Sequence, residues 1–169
     1  PRQYDVAVAG VGFPKDANLY QASRAASYLF FAPTPVVKPG GFFIVPAPCG
    51  EGAGEGVGEQ RFLKAMQEAP DVQFILDDAR RNGYPPGQQR AFVMAKVLEK
   101  NPVIVVGAQD ADLVRSAKFL PAPTMQAAFD TVRQAMGDGP LDPRSGLKGQ
   151  GLDVLVVPHA LLTLPIVQP

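Results

Sequence analysis

The chain has no tryptophan, one cysteine, one histidine and no excess of charge of either sign. Cys49 alone cannot close an intrachain disulfide, and with His159 as the sole imidazole the ordinary zinc-ligand sets cannot be assembled. The 16 Lys and Arg balance 16 Asp and Glu, and no basic run alternates with aromatics. That removes the electrostatic footprint of a nucleic-acid binder. No apolar run approaches the roughly 20 residues that cross a bilayer, and the N-terminus lacks the charged, apolar, small-residue order of a signal peptide. The expectation is a soluble protein of the reducing cytoplasm, bound to neither nucleic acid nor membrane. The chain opens at Pro1 without a methionine, a start that suits an excised domain or processed fragment.

What is present fits one α/β domain over residues 1–169, with 46% hydrophobic and 19% charged residues and length enough for a sizeable core. Apolar runs at 4–11, 42–46, 103–106 and 152–157 read as strands. Their lack of strict alternation implies burial on both faces. Helical patterns lie between them at 16–31, 58–67, 88–100, 110–117 and 124–136. The expected fold is a three-layer α/β/α sandwich with a mainly parallel sheet, Rossmann-like, joined by right-handed crossovers. Residues 74–76 fit a short strand or a piece of helix equally well. Pro85-Pro86 stops the chain before the helix at Gln88, and residues 137–151 read as a mobile surface loop.

The stretch Gly12-Phe13-Pro14-Lys15-Asp16-Ala17-Asn18-Leu19-Tyr20-Gln21-Ala22-Ser23-Arg24 leaves the first strand and enters a helix. Asp16 is the expected N-cap. Leu19, Ala22, Ala26 and Leu29 form one buried stripe, while Gln21, Arg24 and Tyr28 recur on a different face. A loop at the carboxyl end of a strand, followed by Gln21 and Arg24 on an exposed face, makes a natural small-anion site. A solvated helix face is the bland alternative.

The pattern Pro-x-Asp-x-Asn-x-Tyr-Gln-Ala-x-(Lys/Arg), from Pro14 to Arg24, resembles the start of the C-terminal domain of nickel-pincer lactate racemases. The order continues through Val37-Lys38-Pro39-Gly40-Gly41, Gly58-Glu59-Gln60-Arg61-Phe62, Ala95-Lys96-Val97-Leu98 and Val157-Pro158. The resemblance implies a 2-hydroxy acid racemase or epimerase that removes and returns hydride at C2. It implies a nickel-pincer nucleotide held by a larger N-terminal domain, which would be this chain's partner, so that the chain alone is inactive and binds no metal. It further implies that Tyr20, Gln21 and Arg24 line the substrate side of the interdomain cleft. An Arg guanidinium can grip a carboxylate through two parallel hydrogen bonds. Lysine is the usual family residue at position 24, and arginine changes reach and geometry. Gln89 falls where the family often has an aromatic that encloses substrate, so glutamine implies a more polar pocket. A stand-alone carboxylate-binding or partner-docking module, using the same face without chemistry, is the second expectation.

Three other features are weaker. The glycines of residues 50–58 follow a strand, but no register gives G-x-G-x-x-G, and Glu51 and Glu55 would repel phosphate. The loop reads as a flexible segment packed near the site, or as a structural turn. His159 has the chemistry of a general base, yet the resemblance places catalytic histidines in the other domain. Cys49 has no neighbouring histidine in sequence to raise its thiolate character, so a buried or loop thiol is the default.

Overall fold

Five parallel strands in the order β4-β3-β2-β1-β5 form the sheet of this computed structural model, which describes residues 2–136 and 151–165. The elements run β1 (Tyr4–Ala9), α1 (Leu19–Phe30), β2 (Val37–Pro46), α2 (Val57–Glu68), α3 (Val72–Asn82), α4 (Gln89–Lys100), β3 (Val103–Val106), α5 (Ala111–Ser116), β4 (Leu120–Ala122), α6 (Met125–Met136) and β5 (Val154–Val157). The chain steps one way from β1 to β4, then returns through α6 to place β5 on the other side of β1. The strand order therefore reverses between β1 and β5.

Alternation along β1 explains why both faces must be covered. Ala7 and Ala9 join a large cluster with Leu19, Ala22, Ala26 and Leu29 of α1, Phe62 and Met66 of α2, and Met94 and Val97 of α4. Val6 and Val8 point the other way and pack with Phe42, Ile44, Ile104 and Val106 beside Ala128 and Val132 of α6. Phe43, Phe62, Ile44 and Leu29 are fully buried, each contributing about 1.5–3 kcal/mol of transfer free energy. The helices lie on both sides of the sheet, as the apolar strands required.

Two local expectations change, one open reading is decided and one strand is added. The helix expected from Asp16 begins at Leu19, because Asn18 rather than Asp16 caps it, its Oδ1 accepting from the Gln21 N–H at 2.9 Å. The strand expected at 42–46 starts at Val37, and a register shift opposite Tyr4 and Val6 admits the Pro39-Gly40-Gly41 run. A Cβ at Gly41 would sit 2.6 Å from the Asp5 carbonyl oxygen, so only glycine lets β2 pass there. Residues 74–76 belong to α3, whose cap is the Asp71 carboxylate accepting from Phe74 N–H at 2.7 Å. The three-residue strand β4 is an addition that its Leu-Pro-Ala sequence did not signal. The loop expected over 137–151 lies outside the described residues except for Gly151.

Asp5 ties three strands together at the amino end of the sheet. Its Oδ1 accepts from Lys38 Nζ at 2.8 Å and its Oδ2 from the Asp153 N–H at 2.8 Å. Burial pushes its pKa up, but the Lys38 and Asp153 hydrogen bonds and the Lys38 charge outweigh it, leaving the carboxyl below its ordinary value. A depressed carboxyl pKa gives stability that is present above the unfolded pKa and lost as pH falls through the folded one. Asp5→Asn should therefore lower stability at pH 7 by about 1 kcal/mol. The gap should close as the pH drops below about 4. Urea denaturation at pH 7 and pH 3 reads this directly; an equal gap at both would remove the carboxylate from the account.

Candidate functional site

Helix α1 starts at the carboxyl edge of the sheet, and two connections fix its entry. Gly12, at φ 71°, accepts from the Lys15 and Asp16 amides through its carbonyl, and the Phe13–Pro14 peptide is cis. The connection from β2 to α2 is then stitched to it by Cys49 N–H to the Asp16 carbonyl (3.0 Å), Glu51 N–H to Ala17 (2.8 Å) and Leu19 N–H to Gly52 (2.8 Å). The first half of the glycine loop is thus tied by backbone bonds. The N-terminus of α2 is already filled from within, since the Glu59 carboxylate accepts from the Gly56 N–H at 2.8 Å. A phosphate would find that position taken by a negative charge.

On α1 the apolar stripe faces the sheet and Tyr20, Gln21, Arg24, Ser27 and Tyr28 fall toward α4 and solvent. Arg24 Nη1 donates to Gln21 Oε1 at 3.0 Å and Nη2 to the Tyr28 hydroxyl at 2.5 Å, with the guanidinium 5.3 Å from the Tyr28 ring centroid. Its Nε is buried and has no hydrogen-bond partner. Tyr20 packs edge-on against Phe62 at 5.6 Å, and its other neighbour is Arg90, whose guanidinium lies 5.6 Å from the Tyr20 ring centroid. Arg90 Nη1 donates to Ser27 Oγ at 3.0 Å. Burial lowers the Arg90 pKa, Tyr20 works against that, and the Arg24 charge adds to the lowering.

The structure thus gathers Tyr20, Gln21 and Arg24 on one helix and adds Arg90 from α4. Gln89 goes elsewhere. It is exposed, and its Oε1 accepts from the Gly87 N–H at 2.8 Å, closing the turn before α4. Sequence reasoning misses Arg90, although a signal exists. It stands four residues before Met94 and seven before Val97, both fully buried, so a charge sits on an apolar stripe. Beside the cluster runs a groove of about 550 Å³ between α1, α4 and the turn after β5, with Ser27, Tyr28 and Arg90 against Phe31, Val93 and residues 161–164.

His159 is exposed on the turn after β5 and takes no part in the cluster. Cys49 is buried in a left-handed conformation at φ 46°. Burial, and then the Asp16 charge, pushes its thiol up to about 12. Among the described residues no three His, Cys, Asp or Glu come together as a metal site, and no helix is long and apolar enough to cross a membrane.

The sequence model of the family described as the lactate racemase C-terminal domain matches residues 2–156. The fold superposes on the lactate racemase apoprotein from Thermoanaerobacterium thermosaccharolyticum with a TM-score of 0.74 at 22% identity. The superposition covers 99% of this chain and 36% of that one. At that identity the likeness concerns the fold, and the chain spans about a third of the length of the solved structure. Comparison with curated proteins gives no match.

The Cys49 environment is directly testable. With its thiol held far above neutral, the native protein should resist iodoacetamide at pH 8 and react only once denatured, as read by intact mass. Rapid alkylation of the folded protein would contradict the burial of this residue.

Proposed function

The chain belongs to the lactate racemase C-terminal domain family, and on that premise we propose that it is the substrate-side domain of a 2-hydroxy acid racemase or epimerase. The observation that carries the reading is the held but unsaturated Arg24 guanidinium. Gln21 and Tyr28 each accept one of its N–H bonds, and no carboxylate among the described residues pairs with it. A substrate carboxylate supplies what that group lacks, namely an acceptor that carries the opposite charge. Tyr20, anchored on Phe62, limits the space beside it. Gln21 keeps its amide N–H groups for a carboxylate or hydroxyl oxygen, since the oxygen of that amide already serves Arg24.

In this reading Tyr20, Gln21, Arg24 and Arg90 bind and orient, and closure of a second domain over them excludes water. Neither arginine can serve as a base at neutral pH. The described residues do not offer a metal-ligand set. By likeness to the family, the reading assigns the nickel-pincer nucleotide, and with it hydride removal and return at C2, to an N-terminal domain outside this chain. The base for the substrate hydroxyl would come from that domain too. In this reading Arg90 is the contribution of α4 to the pocket, since it bonds Ser27 of α1 while Gln89 bonds the turn before its own helix.

The test uses the natural full-length polypeptide with its cofactor and a panel of single-enantiomer 2-hydroxy acids, followed by chiral chromatography. Inversion of a member supports the reading; none, with cofactor confirmed bound, favours a carboxylate-binding module. Arg24→Ala should lower kcat/KM for the inverted acid by about 100-fold or more. Because Arg24 is half-exposed, its loss should leave the melting temperature within a few degrees of wild type. Wild-type turnover in that variant would remove Arg24 from the site.

A further inference from the structure

Three of the helix arginines are neutralised within their own helix. Arg80, Arg115 and Arg133 each pair with the Asp three residues earlier, at 3.0, 2.6 and 3.1 Å. Arg24 and Arg90 have no such partner, and unlike Arg61 and Arg81, which also lack one among the described residues, they are not exposed. The residue three before Arg24 is the neutral Gln21, and the one three before Arg90 is Gly87. Neither guanidinium pairs with a carboxylate among the described residues. Both are half-buried, and beyond the effect of burial the Arg24 charge reaches Arg90 and lowers its pKa further.

Two like charges held together in a partly desolvated place are costly unless something answers them. The protein's own answer is incomplete. Tyr28 and Tyr20 offer ring faces to the two guanidiniums, and Gln21, Tyr28 and Ser27 accept one N–H bond each. These neutral partners fix geometry without cancelling charge. An Arg has five N–H donors, and these partners do not use all of them at either guanidinium.

Resting on the proposed racemase reading, we propose that the substrate carries a second anionic group besides its C1 carboxylate. Arg24 grips the C1 carboxylate, and Arg90 receives a carboxylate or phosphate at the far end of the molecule. One monocarboxylate would answer only one of the two cations. The groove lined by Ser27, Tyr28 and Arg90, with Phe31 and Val93 as apolar walls, gives the longer molecule room. Arg90 is thereby a specificity-determining residue rather than a group in the chemistry.

The test compares 2-hydroxy acids with one anionic group (monoanions) and acids of the same frame with two, termed dianions by their number of anionic groups, since a phosphate itself carries about −1.5 to −2. Lactate and glycerate are set against malate and 3-phosphoglycerate, with binding to the full-length protein by calorimetry and inversion by chiral chromatography. Wild type should favour at least one dianion by about 30-fold or more, the scale of one added charge-assisted hydrogen-bonded pair. Malate and 3-phosphoglycerate distinguish a carboxylate from a phosphate at Arg90. Arg90→Gln should bring the dianion-to-monoanion ratio close to one, and Arg90→Lys should retain part of it. The ratio is internal to each variant, so a general loss of folded protein does not imitate the effect. Equal use of both classes by wild type, or an unchanged ratio in Arg90→Gln, overturns the inference while inversion itself keeps the racemase reading. Arg90-dependent binding of dianions without inversion of any acid keeps the anion site and removes the racemase reading. Absence of binding by every acid removes both.

Discussion

One close backbone contact at Gly10 sets much of the rest. At the carboxyl end of β1 the Gly10 N–H donates to the Val157 carbonyl, and the Gly10 carbonyl accepts from Ala160 N–H, both at 2.9 Å. A Cβ on residue 10 would run into the Pro158 carbonyl oxygen, a backbone atom that cannot turn aside. Glycine here lets β5 and the turn after it close on β1. That contact continues the β1–β5 pairing past the last strand residue and seats the fully buried Ala160 against the main core. It also brings residues 161–164 to the groove beside α1 and α4. The reversal of strand order and the wall of the candidate site thus share one steric condition. Open parallel sheets commonly place ligands at the carboxyl edge near such a reversal.

From that edge the small residues of α1 do the positioning. Ala22, Ala25 and Ala26 are fully buried, which lets the helix lie close to the sheet and to α4. The larger Tyr20, Arg24 and Tyr28 lie off that buried stripe, and Tyr20 meets Arg90 of α4. There each guanidinium meets an aromatic face and a neutral acceptor. Such contacts hold a cation in place while leaving its charge available. Preorganisation of this kind lowers the ordering cost that a small anion would otherwise impose on long side chains when it binds.

The sheet was legible because a strand buried on both faces has no choice but to be apolar throughout, and residues 42–46 and 103–106 are. The long helices were legible because one stripe of each meets the core. What escaped had weak or competing signals. Helix α3 buries only Ile75 and Leu76, so its pattern over three residues was as good for a strand. Strand β4 is three residues with a central proline and an exposed leucine. Asp16 and Asn18 are both good caps by type, and only the bonds from Cys49 and Glu51 to the carbonyls of Asp16 and Ala17 show why the helix waits two residues. At the site, Gln21 and Arg24 were legible because they share a helix face, whereas pairing Arg24 with Arg90 needs the packing of α1 on α4. A side chain 66 residues away has no periodicity to announce it.

The Gln89 and Arg90 exchange shows how finely a pocket depends on helix phase. One residue of helix is a rotation of about 100°, enough to move a side chain from the turn backbone to the ligand space. Glutamine at 89 spends its oxygen on the Gly87 amide, where a free turn N–H would otherwise need water. The neighbouring arginine falls instead on the stripe that faces α1. A polar pocket and a doubly cationic pocket predict different substrates: the first tolerates added hydroxyls, the second demands added charge. Under the proposed reading α4 contributes charge, because the side chain facing Ser27 and Tyr20 is Arg90 and not its neighbour.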